Sequence, residues 1–343
     1  MRLKHSSNIN PIMKNPMKSG FKLTKQLAVV LLLGVVAGGV LLSGCSKSKP
    51  ATNAGNGTGP ASGEDSAMMK VKWTAGKKYS MRMELAQTTK TQIPNQPQPN
   101  SQEVNLSQNF DISAIKDLDN GGKELELQFG DMTIDVTQGG QKVLSYDSTQ
   151  SATEDTNFAP MFHAMVGSRL QYFTDADGKV EKVEGIEEML NRISTDKKSP
   201  MRAQFSQMFT DSTIKEYGSF ADMMPNRVVK TGESWSYKRD VVTQVSMALD
   251  MKYTFKSWEQ HLDRKCARIG VEGKISSKGV SNGMQIDDGK ISGDVWFDPE
   301  LGMIVGVNND QNIKIKVTTR GMTVTPEINQ RIRVSLVDIA DVK

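Results

Sequence analysis

Cysteine is the residue whose chemistry can be placed most directly in this chain of 343 residues. Cys45 ends the tetrapeptide Leu42-Ser43-Gly44-Cys45, which closes an apolar run that begins at Leu27. Small residues before a cysteine leave room for enzymes that attach a diacylglyceryl group to the sulfur and cleave the peptide between Gly44 and Cys45. The spacing therefore predicts that Cys45 becomes the acylated first residue of the mature chain.

The segment before Cys45 has the layout of a secretory signal. A basic region precedes an apolar run of about 16 residues, which is short of the roughly 20 that cross a bilayer. This favours cleavage, although an uncleaved anchor with an incidental cysteine is the alternative, and translation could begin at Met13 or Met17. The tetrapeptide resembles the lipobox of bacterial lipoproteins, which implies palmitate-type acyl chains and a place in the cell envelope. Ser46 after the cysteine, rather than Asp, favours the outer membrane facing the periplasm over the inner membrane.

Other reactive side chains are sparse and do not form a recognisable set. Of the 3 histidines, His5 lies in the signal, and we predict that His163 and His261 are solvated or capping residues. Their spacing to other ligands is not that of a metal site. Cys266 then stands alone, so an intramolecular disulfide is excluded and an inert thiol is expected. We predict no catalytic residue, no metal and no cofactor.

Methionine is concentrated in the middle of the chain, with seven between residues 157 and 225. Flexible thioethers suit apolar surfaces that adapt to varied ligands. They also serve as ordinary core filler between helices and a sheet, and the sequence leaves both readings open. The candidate contacts to a hydrophobic ligand are Met161, Met165, Met189, Met201, Phe205 and Met208.

Net charge excludes one class of partner. Residues 1–44 carry 6 of the 43 basic residues and none of the 39 acidic ones, so the mature chain has 37 basic and 39 acidic residues and a charge of −2. With both signs interspersed, no basic footprint for nucleic acid remains.

Composition divides the chain into three parts. Residues 1–44 form the signal peptide, and residues 45–67, rich in Gly, Pro, Ser and Asn, form a flexible tether. Residues 68–343 form a single β-rich domain with a mainly helical insert at about 157–225. A tether of this length would hold the domain about 25 Å from the membrane.

Two-residue periodicity dominates the domain and indicates half-buried strands. One starts at Lys78, and a change of phase near Gly130-Asp131 predicts a β-bulge in another. Met303–Val307 and Ile313–Val317 are predicted as separate strands. The predicted fold class is α+β, mainly β, with a large curved antiparallel sheet resembling a half-barrel. The central helical insert packs on or over its concave face.

Several short phrases resemble, in their order, an uncharacterised family of exported bacterial β-rich lipoproteins. The likeness covers roughly residues 70 to 310 and implies fold and location, but no catalytic residue. By looser analogy, the architecture resembles the half-barrel carriers of lipids and lipoproteins in the bacterial envelope. The phrases are Trp73-x-x-Gly76-x-x-Tyr79, Asp177-Gly178-Lys179-Val180, Pro225 before Val228, and Gly232-Glu233-Ser234-Trp235.

The sequence therefore favours a non-enzymatic lipoprotein of the envelope, anchored to the membrane by acyl chains, with a hydrophobic ligand or lipid as candidate occupant. The alternative is a structural or protein-interaction module without a small-molecule ligand, whose partner is another envelope protein. A hydrolase ranks behind both, because no nucleophile with a partner base is visible.

Overall fold

The computed structural model describes residues 65–94, 96–150, 159–218, 223–242, 245–280, 283–319 and 321–342. The predicted signal peptide, Cys45 and the tether up to residue 64 lie outside these residues. Among the described helices, none has the length and apolar character needed to cross a bilayer.

The described residues form short helices and mostly long strands. The helices are α1 (Ala159–Met165), α2 (Ile186–Ile193), α3 (Pro200–Met208) and α4 (Asp211–Gly218). The strands are β1 (Ser66–Met68), β2 (Lys77–Thr91), β3 (Asn100–Asp117), β4 (Lys123–Gln138), β5 (Gln141–Asp147), β6 (Arg169–Thr174), β7 (Val180–Glu184), β8 (Val228–Lys230), β9 (Ser234–Val242), β10 (Ser246–His261), β11 (Arg264–Ser277), β12 (Met284–Asp298), β13 (Met303–Thr319), β14 (Met322–Val324) and β15 (Glu327–Asp341).

Thirteen of these strands form one antiparallel sheet, and β1 pairs with β8 apart from it. The main path runs β7-β6-β4-β3-β2-β15-β13-β12-β11-β10-β9 and does not close on itself, while β5 and β14 pair beside β4 and β13. The last strand, β15, lies between β2 and β13 and so joins the N-terminal and C-terminal halves of the sheet. The predicted fold class is confirmed.

Alternating burial gives the sheet two distinct faces. In β2, Tyr79, Met81 and Leu85 are buried, whereas Arg82 and Glu84 between them are exposed. We call the face that carries the buried side chains the inner face. Antiparallel sheets usually have one face that is buried and one face that is exposed to solvent.

The helical insert connects the two edges of the sheet. On one side Phe162 of α1 packs on Tyr146 of β5, with ring centroids 5.3 Å apart, and α4 contacts β7. On the other side, the indole N–H of Trp235 in β9 donates to the carbonyl of Met223 at 2.9 Å. Since Tyr146 and Trp235 are both buried on the inner face, the insert packs over that face, as the sequence predicts.

A single hydrophobic cluster contains buried residues of the sheet and of the insert together. Phe205 and Ile214 of the helices belong to the same cluster as Leu85 and Phe297 of the strands. The described strands and helices therefore share one hydrophobic core.

Two local expectations have different outcomes. The predicted bulge is confirmed, because Gly130 and Asp131 of β4 together oppose the single residue Asn109 of β3. The division of Met303–Val307 from Ile313–Val317 is wrong, because both belong to β13. The polar residues between them continue the strand, since their backbone pairs with β12 on one side and β15 on the other.

The predicted boundary of the tether also shifts. Ser66 and Ala67, assigned from composition to the tether, pair with Lys230 and Val229 of β8. Backbone hydrogen bonding needs no particular side chain, so a small, polar composition does not reveal such a short strand.

Candidate functional site

Three glutamines lie side by side on the inner face, on the three middle strands of the sheet. Gln311 of β13 faces Gln330 of β15, and Gln330 faces Gln87 of β2. We call these three residues the amide row. Each is at most 4% exposed, and Asn309, two residues before Gln311 on the same face, is equally buried.

Most polar atoms of the amide row lack a hydrogen-bond partner among the described residues. Both the carbonyl oxygen and the amide nitrogen of Gln311 and of Gln330 are unpaired, as are the carbonyl oxygens of Gln87 and Asn309. The amide nitrogen of Gln87 donates to Thr89 Oγ1 at 3.1 Å. A buried amide without partners destabilises a fold by about 1 to 3 kcal/mol, so natural proteins contain few of them. The amide row and Asn309 are adjacent, and each of these four residues has at least one unpaired polar atom. This arrangement indicates a binding site for a polar group of a ligand.

Most side chains that surround the amide row on the inner face are apolar, and Thr89 and Asn309 are polar neighbours. Ile291 of β12 and Val104 of β3 continue the row at its two ends. The neighbouring positions above and below it on the three middle strands are mostly apolar and buried: Leu85, Ile313, Ile328 and Ile332. The amide row is thus a polar strip within a mostly apolar face of the sheet.

A missing side chain helps to position one amide beside the row. Gly293 of β12 faces Asn309 of β13, and a Cβ at Gly293 would come within 2.3 Å of Asn309 Oδ1. No side chain could occupy that place without displacing the Asn309 amide. Gly293 therefore makes room for it.

The segment after β1 covers one end of the inner face. Val71 and Trp73 of this segment line an apolar cavity of about 20 Å³ together with Met81 and Val334 of the sheet. That volume holds about one water molecule. A larger ligand would therefore need the covering segments to move away from the sheet.

The opposite, outer face of the same strands has a shallow polar groove of about 310 Å³. Four of its lining residues are paired with one another: Arg331 Nε donates to Asp310 at 2.7 Å, and Asn312 Nδ2 donates to Asn329 Oδ1 at 2.6 Å. Exposed pairs of this kind are common on protein surfaces and contribute little to the stability of the fold. We therefore do not place the functional site in this groove.

A second polar cluster lies on the outer face near the turn between β10 and β11. Arg268 donates to Glu259 at 2.9 Å and to Asp294 at 2.8 Å, and Trp296 donates to Glu259 at 3.2 Å. The hydrogen bond from Arg268 lowers the pKa of Glu259, and the hydrogen bonds of Arg268 to Asp294 first and Glu259 second raise the pKa of Arg268. Burial tends to raise the pKa of Asp294, but Arg268 and Lys256 hold it below its usual value. The carboxylates of Glu259 and Asp294 are thus ionised and hydrogen-bonded, which makes them poor proton donors.

The ring of His261, the last residue of β10, stacks on Trp296 at 4.4 Å. Burial lowers the pKa of His261 below 6.5, although Glu259 opposes the shift. The unfolded chain takes up the proton near pH 6.5 and the folded chain only at lower pH. Stability from the neutral ring is thus complete above about pH 6.5 and is lost as the pH falls below it.

We therefore expect acid to destabilise the wild-type protein more than His261→Phe, which keeps an aromatic ring on Trp296 but does not titrate. Urea unfolding of both proteins across the acid range measures this difference. A difference in unfolding free energy that stays constant with pH would contradict the assignment.

Cys266 lies fully buried in β11, where its thiol points toward the carbonyl of His261 at 3.9 Å. Burial raises the pKa of Cys266 to about 11. A thiol in this state is a poor nucleophile. Among the described residues, no three His, Cys, Asp or Glu side chains converge as a metal site.

The sequence-predicted ligand contacts that the structure describes lie on the helices of the insert, whereas the amide row lies on strands of the sheet. Met161 and Met189 are buried, Met165 and Met201 are half-buried, and Phe205 is fully buried with its ring stacked on Phe209 at 4.2 Å. The side chain of Met208 and residues 44 and 45 lie outside what the structure describes. A ligand-contact role for these residues stays a prediction.

Sequence reasoning did not identify the amide row, although a signal for it exists. Gln87 continues the buried phase of Tyr79, Met81 and Leu85, and Gln330 interrupts the apolar phase between Ile328 and Ile332. A polar residue on the apolar phase of a strand is the pattern that would have indicated it. Only the strand order shows that these residues are neighbours.

Comparison with solved structures found weak likenesses. A lipovitellin structure, titled for its lipid–protein interactions, covers 79% of this chain at 8% identity with a TM-score of 0.47, and the chain spans about a quarter (26%) of that protein. A candidate exported protein from Bacteroides fragilis with a YmcC-like fold covers 80% of this chain and 100% of its own length, at 10% identity and a TM-score of 0.26. Neither likeness is close enough to carry an argument. A search of curated proteins found no match.

A protein-family comparison gave a more definite result. Residues 120–304 match a family of unknown function, DUF6263, and this range runs from the turn after β3 to the start of β13. It includes the helical insert and excludes the three glutamines of the amide row. Because the match covers more than half of the sequence, the chain belongs to the DUF6263 family.

Proposed function

We propose that this protein is a non-enzymatic lipoprotein of the bacterial cell envelope that holds a hydrophobic ligand or lipid against the inner face of its sheet. The location in the cell envelope is supported by Leu42-Ser43-Gly44-Cys45 and by the apolar run before it. Two or three acyl chains give stable anchoring where one chain gives only marginal binding. The serine after Cys45 supports the outer membrane, facing the periplasm, as the destination.

The observation that carries the ligand proposal is the amide row. Buried polar atoms without partners are retained in proteins where function requires them, because an apolar side chain at the same place would be more stable. Here they lie on the three middle strands of a mostly apolar inner face, far from both sheet edges. Binding sites for lipids and other small molecules combine an apolar lining with a few such polar groups.

The helical insert is the element best placed to control access. It touches β5 and β7 near one edge of the open sheet and β9 at the other, so moving it outward would expose the inner face between them. At the β9 edge, the described contact is the hydrogen bond from the Trp235 indole N–H to the Met223 carbonyl at 2.9 Å. The methionines of the insert would then adapt to the apolar part of the ligand.

A direct test is mass spectrometry of what the protein retains. Residues 46–343 would be exported behind an ordinary cleavable signal peptide, purified without detergent and extracted with organic solvent. We expect a lipid at roughly one molecule per chain, and its loss when the same protein is unfolded and washed before extraction. A second portion, stripped and refolded, should bind a fluorescent apolar probe that the extracted lipid displaces.

The opposite result of this experiment would support the alternative function. If no lipid co-purifies and the refolded protein binds no apolar probe, the inner face is a filled core. The protein is then a structural or protein-interaction module of the envelope.

A further inference from the structure

We propose that the amide row recognises an uncharged polar group, such as the ester and hydroxyl groups of a glycerolipid, in an amphiphile that lies across the middle strands. This inference rests on the proposed function and specifies its ligand. It names Gln311, Gln330 and Gln87 as the residues that determine specificity.

The hydrogen-bonding capacity of the row fits a group that both accepts and donates. Gln311 and Gln330 each present a free amide nitrogen, which donates, and a free carbonyl oxygen, which accepts. Gln87 adds a free carbonyl oxygen, because its nitrogen is already bonded to Thr89. An ester carbonyl would accept from the amide nitrogens, and a neighbouring hydroxyl would donate to the carbonyl oxygens. A plain hydrocarbon would leave all of these atoms unpaired.

The charge of the inner face argues against an anionic head group. Within four residues of the amide row, the inner-face positions of β2, β15 and β13 carry no Lys, Arg, Asp or Glu. Lys77 and Asp341 share the inner phase only at the far end of β2 and β15, where they pair with each other at 2.7 Å. A carboxylate or phosphate placed there would be buried without a counter-charge, which is far less favourable than burying an ester. Arg239 on the edge strand β9 is an inner-face cation, but it lies four strands from β13 and already has an interaction of its own.

The position of the row along the strands indicates how the ligand lies. Apolar residues precede and follow the row on β15, with Ile328 on one side and Ile332 and Val334 on the other. An acyl chain could therefore extend along the strand direction from a polar group held at Gln330. The ester of a glycerolipid has this geometry, with a polar group at the end of an apolar chain.

The test compares three probes of the same medium chain length on residues 46–343: a monoacylglycerol, the free fatty acid and the alkane. Competition against a fluorescent apolar probe gives their relative affinities. We expect the wild-type protein to prefer the monoacylglycerol over each of the other two by about tenfold or more. In the double variant Gln311→Leu/Gln330→Leu, the preference over the alkane should disappear.

The matched control is Asn329→Leu, which makes a comparable change on the outer face beside Gln330. It should leave the preference unchanged. Thermal unfolding without ligand provides a second readout, because replacing unpaired buried amides with leucine should leave the midpoint equal or higher. A double variant that unfolds at a lower temperature would show that the glutamines support the fold and would overturn the inference.

Failure of the inference and failure of the proposed function give different results. If none of the three probes binds the wild-type protein, the proposed function is wrong. If all three bind equally, if the fatty acid binds best, or if the double variant keeps the preference, the inner face binds lipid but the amide row does not select it.

Discussion

Replacing Cys45 with alanine will remove the lipid anchor and lower the membrane-bound fraction of the protein at least about tenfold. Each buried methylene contributes about 0.8 kcal/mol, and two or three acyl chains hold a protein where one does not. All of these chains depend on a single sulfur atom. Fractionation of cells followed by intact-mass measurement checks this result, since we expect the wild type to lose residues 1–44 and to gain acyl mass.

Loss of Cys45 also removes the predicted cleavage site, so the Cys45→Ala chain needs a second variant as control. Residues 46–343 behind an ordinary cleavable signal peptide separate the anchor from the signal, and this protein should be found in the soluble fraction. The prediction is contradicted if the wild-type chain has a free thiol at Cys45 and keeps residues 1–44. It is equally contradicted if Cys45→Ala stays in the membrane with the same mass as the wild type.

Replacing Ile332 with aspartate will unfold the domain or reduce its soluble yield severely. Ile332 is 1% exposed and lies on β15, where it faces Leu85 of β2 and Asn309 of β13. Removing its buried side chain costs about 2 to 5 kcal/mol, and an unpaired buried carboxylate adds about 3 to 5 kcal/mol. The total approaches the whole stability of a typical domain, which is about 5 to 15 kcal/mol. Circular dichroism and urea unfolding measure the effect.

Arg333→Asp is the matched control because it introduces the same residue one position later, on the exposed outer face. It faces Glu84 there, so a weak repulsion should destabilise the fold by less than about 1 kcal/mol. Equal stability of the two variants would mean that β15 does not join the two halves of the sheet as described. The contrast therefore tests the position of the C-terminal strand.

Local patterns were sufficient for the elements themselves. Alternation from Tyr79 to Leu85 predicts β2, and the spacing of Ile186, Met189 and Leu190 predicts α2. Ser199 before Pro200 predicts the start of α3, where the Ser199 hydroxyl accepts from the Arg202 N–H at 3.5 Å. These signals are readable because side-chain periodicity and capping depend on residues within a few positions of each other.

The sequence by itself thus determined the β-rich class and the helical insert, whereas the secretory signal and the acylation at Cys45 stay predictions. Only the tertiary structure decided that β15 joins β2 to β13, because strand pairing between distant parts of a chain leaves no local mark. That pairing brings Gln87, Gln311 and Gln330 together. Each glutamine alone resembles an ordinary polar residue in a strand, and the three become buried neighbours only when the sheet is assembled.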